Sequence, residues 1–209
     1  MKKVNIYLDL DQTLISSELL DKNEAEEGDT VYDIEKNKVK ARSFHFQNMQ
    51  GLYVIFERPH LQDFLTFLFE NFNVSVWTAA SQDYANFIVQ NIVIGEHTDR
   101  KLKYFLCNYH GCKSSSLFNG SKDLKMLWEC YKIPNCNSSN TFILDDNSEV
   151  YNTQKENCII AKEFCYFNEN SEKDNFFPQL KKLTQNYILD NNNNQNLSES
   201  VKMINSILS

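Results

Sequence analysis

The stretch Val4-Asn5-Ile6-Tyr7-Leu8-Asp9-Leu10-Asp11-Gln12-Thr13-Leu14 decides the fold. Its apolar start is a short β-type segment, and it runs straight into the aspartate pair Asp9 and Asp11. Working outward, Asn73 to Thr78 reads as a buried strand carrying Val74, Val76 and Trp77. Lys101 to Cys107 looks extended, Thr141 to Leu144 is an apolar strand ending on Asp145-Asp146, and Cys158 to Ala161 is a short strand. Helical spacing fills the gaps. Leu61, Phe64, Leu65 and Leu68 follow Arg58-Pro59, where proline suits a first turn. Gln82 to Ile94 and Asn175 to Tyr187 read as helices. So does Ser121 to Tyr131, with Lys122 at its opening and Leu124, Leu127 and Trp128 inward. Strands alternating with helices predict an α/β fold, a Rossmannoid parallel sheet flanked by helices on both faces.

The chain has 209 residues, which suits one domain over residues 1–187 followed by an elaboration. After the first strand comes an insertion, residues 16–56. It is an acidic loop leading into a β-hairpin, with strands over Thr30 to Gln47 and Leu52 to Phe56 turned near Met49-Gln50-Gly51. A smaller insertion around Cys107 to Cys112 precedes Lys122, with Cys107 packed inward rather than ligating a metal. Residues 188–209 form a polar linker and a faintly amphipathic tail helix, Leu197 to Leu208, expected to be frayed rather than docked. The net charge of −7 is local, because residues 18–35 hold eight acids and one lysine. That segment suggests a flap near the site, with Glu24, Glu26 and Glu27 at its centre. Lys36, Lys38, Lys40 and Arg42 recur every second residue and would share one face of a strand, as a guarded edge or a basic lip.

Net acidity argues against nucleic-acid binding, and no apolar run approaches the roughly 18 residues of a membrane span. The start meets Asp9 too early for a signal peptide. An intracellular protein, cytoplasmic or nuclear, with its six cysteines reduced is therefore expected.

In an open α/β sheet, ligands bind beyond the carboxyl ends of the strands. Asp9 and Asp11, Thr78, and Asp145 with Asp146 all stand at such ends, and Lys122 lies between the last two groups. Several carboxylates crowded against one lysine repel one another, and a hard cation with oxygen ligands relieves that repulsion.

Taken in order, these residues resemble the haloacid dehalogenase (HAD) superfamily, and more closely the FCP/SCP-type phosphatases, also called NLI-interacting-factor-like or CTD small phosphatases. Asp9-Leu10-Asp11-Gln12-Thr13-Leu14 matches the family's Asp-Leu-Asp-x-Thr-Leu. Glu57-Arg58-Pro59-His60 stands where the family has Arg-Pro-Gly, with histidine for glycine. Trp77-Thr78-Ala79-Ala80 with Tyr84-Ala85, Lys122-Asp123-Leu124 and Ile143-Leu144-Asp145-Asp146 complete the set, with Ala80 for serine. The resemblance covers roughly residues 4–185.

It implies Asp9 as nucleophile and Asp11 as general acid and base. It implies Thr78 and Lys122 on the phosphoryl oxygens. Mg²⁺ would be held by Asp9, Asp146 and the backbone carbonyl of Asp11. Asp145 would orient Lys122, and Arg58 would support the site, paired with a carboxylate behind it. His60 is expected to be nearly neutral at its helix start. The implied activity is hydrolysis of phosphoserine or phosphothreonine in proteins, with a polymerase-tail-like peptide as the leading substrate and a monomer as the expected state. The alternatives are a HAD phosphatase for nucleic-acid 3′ ends or small metabolites, and a non-catalytic module that binds phosphate.

Overall fold

The computed structural model describes residues 3–20, 31–33, 35–118, 120–190 and 196–209. In chain order these form β1 (Asn5–Leu8), β2 (Ile15–Leu19), a one-turn α1 (Lys38–Ala41), β3 (Phe46–Met49), β4 (Tyr53–Glu57) and α2 (Leu61–Asn71). There follow β5 (Asn73–Trp77), α3 (Gln82–Ile88), β6 (Phe105–Leu106), α4 (Asn108–Phe118), β7 (Thr141–Asp145), α5 (Ser148–Thr153) and β8 (Cys158–Ile160). Then come α6 (Phe176–Thr184) and α7 (Leu197–Leu208). Wide π-helical turns extend α3 over Val89–Ile94 and α6 over Gln185–Leu189, and a third covers Met126–Cys130.

The main sheet has the order β6-β5-β1-β7-β8 and is parallel throughout. Alternation along the strands sorts side chains onto its two faces. Ile6, Leu8, Val74, Val76, Phe142 and Leu144 meet α2, α3, α6 and α7 on one face. Tyr7, Trp77, Ile143 and Cys158 meet Leu124, Met126, Leu127 and Val150 on the other. Sequence order reverses on either side of β1, so the crevice above its carboxyl end is the sheet's switch point. Leu8 pairs in register with Val76 and with Leu144, so Asp9, Thr78 and Asp145 emerge along one edge.

The insertion is a three-stranded antiparallel sheet, β2-β4-β3, rather than a hairpin alone. Ile15–Leu19 is a strand although its polar residues give no clear period. It is held by pairing with β4 from Ile15↔Glu57 to Leu19↔Tyr53. The long strand expected over Thr30 to Gln47 is confined to Phe46–Met49. Upstream, Lys38–Ala41 is helical, so the alternating cations do not share a strand face. Lys38 pairs instead with Glu35 at 3.0 Å, and Lys40 donates to the Asn168 carbonyl at 2.8 Å. What fixes this layer is aromatic: Phe56 stacks on Tyr166 at 3.8 Å between centroids, with Tyr32 and Phe44 edge-on around them. The acidic flap residues Glu24, Glu26 and Glu27 lie outside the described residues.

Two further expectations change. The tail helix is docked. Asn196 and Glu199 form a capping box, and Leu197, Val201 and Ile204 are buried in the main core. Asn205 is buried with them and bonds the backbone of β8 at both Cys158 O (2.9 Å) and Ile160 N (3.0 Å). The apolar stripe is thin because a polar residue does part of the docking. Among the described residues no helix is long and apolar enough to cross a membrane.

His60 is not neutral in conformation. It precedes α2 at φ 65°, ψ 13°, in the left-handed region where a β-carbon is strained. That is the physical reason a glycine suits this position. His60→Gly is expected to raise unfolding stability by about 1 kcal/mol, part of the relief being offset by glycine's unfolded-state entropy. A urea midpoint that stays put or falls would count against the strain.

Candidate active site

The loop after β1 is a tight turn built on the Leu10 carbonyl, which accepts from the Leu14 amide at 2.8 Å and the Ile15 amide at 3.1 Å. Leu10 and Leu14 are fully buried and anchor it, while Gln12 takes a φ of 60°. The turn leaves Asp9 over the switch point and turns Thr13 back toward β7. There the Thr13 hydroxyl donates to Asp146 Oδ1 (3.0 Å) and accepts from the Asp146 amide (3.1 Å), tying the two carboxyl-end loops together.

Lys122 Nζ lies 2.5 Å from Asp9 Oδ1 and 2.8 Å from Asp145 Oδ2, with the lysine 5% exposed and Asp145 at 0%. Lys122 does not open a helix. It occupies a turn at φ 58°, a strained conformation of the kind that collects at functional sites. The turn is pinned from two sides. Gln154 Nε2 donates to the Lys122 carbonyl (2.9 Å) and Gln154 Oε1 accepts from the Leu124 amide (2.9 Å). Ser114 of α4 accepts from the Asp123 amide at 2.9 Å.

Asp9, Asp145 and Asp146 each offer an oxygen within 4.8 Å of the other two. Lys122 keeps its proton, because the Asp9 and Asp145 charges outweigh the burial that opposes it. The surplus negative charge then falls on the acids. Burial first, and then the Asp9 charge, pushes Asp145 up to about 7 against the pull of Lys122. The same two causes raise Asp146. Three carboxylates against one ammonium is a donor set that a hard divalent cation fits. Asp145 joins the cluster from its place beside Lys122, whereas the side chain of Asp11 does not.

Asp11 faces another way. Its Oδ1 accepts from the Tyr84 hydroxyl at 2.5 Å. Burial pushes its carboxyl up to about 6, against the Tyr84 bond and with the Asp9 charge adding. Thr78 is buried at the end of β5. Its amide bonds the Leu106 carbonyl and its Oγ1 accepts from the Ala80 amide at 3.1 Å.

Arg58 does not reach this edge. It is 1% exposed and lies behind the loop, where Nη1 donates to the Thr13 carbonyl (3.1 Å). Nε and Nη2 grip both oxygens of Asp174 at 3.1 and 2.9 Å. The guanidinium also covers the Phe176 ring at 4.3 Å. Gln154 and Ser114 carry no signal that singles them out in the sequence. Asp174 offers one local hint, since its Oδ1 accepts from the Phe176 amide at the start of α6.

A doubly wound parallel sheet with this aspartate loop at its switch point defines a HAD-like α/β fold. The family model for NLI interacting factor-like phosphatases matches residues 4–195, and the chain belongs to that family. Putative CTD phosphatase-like protein 355R of Invertebrate iridescent virus 6 is 38% identical over 187 residues, covering 88% of this chain and 98% of that protein. The protein of the same name from Invertebrate iridescent virus 3 is 40% identical over 191 residues, covering 89% and 97%. Nuclear envelope morphology protein 1 of Schizosaccharomyces pombe is 29% identical over 161 residues, covering 76% of this chain and 29% of its own length. Among solved structures, Fcp1, an essential RNA polymerase II CTD phosphatase, aligns at a TM-score of 0.53 and 18% identity. That alignment covers 99% of this chain and 61% of the Fcp1 chain, and it is a likeness of fold.

Proposed function

We propose that this protein is a Mg²⁺-dependent phosphoprotein phosphatase that hydrolyses phosphoserine and phosphothreonine through a phosphoaspartyl intermediate. The observation that carries the reading is the division of labour at the sheet edge. Asp9 sits with Lys122, Asp145 and Asp146, while Asp11 is held apart on Tyr84.

An ionised Asp9 oxygen attacks phosphorus, forming the Asp9 O–P bond as the bond to the seryl or threonyl oxygen breaks. Protonated Asp11 gives its proton to that leaving oxygen. Water then attacks phosphorus, Asp11 takes the water proton, and the Asp9 O–P bond breaks, releasing inorganic phosphate. Lys122 and Thr78 hold the phosphoryl oxygens as charge develops, and Asp145 keeps Lys122 aimed. Asp9, Asp146 and the Asp11 carbonyl would hold Mg²⁺, which when bound screens the phosphoryl charge from the carboxylates.

The relatives named for CTD phosphatases support a phosphorylated polymerase-tail-like peptide as substrate. We take the protein to act as a monomer on such peptides, away from membranes and nucleic acid. Chelator should abolish activity and Mg²⁺ should restore it, and turnover that persists in chelator sinks the metal assignment. A panel of phosphopeptides, 3′-phosphorylated oligonucleotides and sugar phosphates tests the substrate. A preference for either of the last two would replace the peptide reading, and binding without turnover of any would replace the enzyme reading.

A further inference from the structure

Three parts of the chain converge on the Asp11 carboxyl. The first is its own loop. The second is α3, which starts just past Thr78 and carries Tyr84 in its first turn. The third is the antiparallel sheet, where the Tyr53 ring of β4 meets Tyr84 edge-on, with centroids 5.4 Å apart and planes at 76°. That contact fixes the Tyr84 ring, and the ring places its hydroxyl 2.5 Å from Asp11 Oδ1. Ser17 of β2 bonds the same carboxyl and the same hydroxyl, so the Asp11 side chain is held from two elements at once.

We propose that Tyr84 is a positioning residue whose hydroxyl holds the Asp11 carboxyl in the orientation from which it gives a proton to the leaving alcohol and takes one from water. In the first step the Asp11 O–H bond breaks as the alcohol O–H bond forms. In the second, a water O–H bond breaks and the Asp11 O–H bond is restored. Tyr84 keeps its own proton in both. Because α3 continues from the Thr78 loop, the same hydroxyl ties the orientation of the acid to the loop that grips phosphate. This rests on the phosphatase reading above and adds to it the side chain that aims the acid.

A structural role for Tyr84 would slow all substrates alike, whereas a role in orienting the acid depends on how much the leaving group needs a proton. The test is Tyr84→Phe, which keeps the ring against Tyr53 and removes only the hydroxyl. Transfer is followed in rapid-mixing experiments with Mg²⁺, using a phosphoserine peptide and 2,4-dinitrophenyl phosphate. Release of the seryl alcohol should slow by roughly 30-fold or more, a large part of what a positioned general acid supplies. The dinitrophenolate burst, which needs no proton, should change by less than about threefold, and KM for the peptide should hold within a similar factor. In an Asp11→Asn background the Tyr84→Phe change should add nothing further. Equal slowing of both substrates, or a loss confined to KM, overturns the positioning role while leaving the phosphatase reading in place. Failure of the unaltered protein to release either leaving group overturns both.

Discussion

An Asp9→Asn variant is expected to lose turnover by roughly 10⁴-fold or more while keeping its fold. The amide has no charged oxygen to attack phosphorus, and no neighbour can replace it. Asp145 is committed to Lys122, Asp146 is bonded by Thr13, and Asp11 is held on Tyr84. The fold should tolerate the change because Asp9 is one of three crowded carboxylates. Neutralising it removes repulsion at the same time as it weakens one contact to Lys122, which keeps Asp145. Hydrolysis of 2,4-dinitrophenyl phosphate and a thermal melt, run side by side, check both halves. Residual turnover within about tenfold of the parent would show that the nucleophile lies elsewhere.

The second large effect is on stability. Asp174→Ala is expected to cost about 3–5 kcal/mol, because it leaves the guanidinium of Arg58, which is 1% exposed, without its charged partner. The reverse change, Arg58→Met, should cost less. The Asp174 side chain is 18% exposed and can turn to solvent, whereas that of Arg58 is 0% exposed. Methionine also retains much of the packing on Phe176. Arg58→Met still releases the Thr13 carbonyl, so its loss should appear in catalysis as well as in folding. Denaturant midpoints for the two variants give the order, and equal costs would mean that exposure does not set the penalty.

The contrast between Arg58 and Asp9 also shows what a sequence makes legible. Asp9, Thr78 and Asp145 follow short apolar runs, and a parallel sheet aligns strand ends whatever the loops do. The order of motifs along the chain therefore gives the edge that holds the candidate site. Asp174 is 116 residues from Arg58 and no periodicity links them. Gln154 and Ser114 likewise act on Lys122 from a distance, through backbone bonds that any polar side chain of suitable length could make. The strand Ile15–Leu19 was hidden for a related reason. Its pairing with β4 is a tertiary fact, and Ser16, Ser17 and Glu18 read locally as loop. The alternating cations misled in the opposite direction, offering a strand period to a segment whose partners impose a helical turn.

The amide of Asn205 has a consequence for how this molecule meets others. β8 is the last strand on its side of the sheet, and an outer strand is ordinarily a template on which a foreign chain can lie. Here Asn205 offers β8 a donor and an acceptor together, as one peptide unit of a neighbouring strand would. At the opposite margin β6 is only two residues long. Lateral growth of the main sheet is thus closed by an amide plug on one side and by brevity on the other. On the proposed reading, in which extended phosphopeptides are the substrates, such chains are in this way kept from being captured by backbone pairing along the main sheet. Recognition is then left to side chains at the crest, where the proposed chemistry places the phosphoryl group.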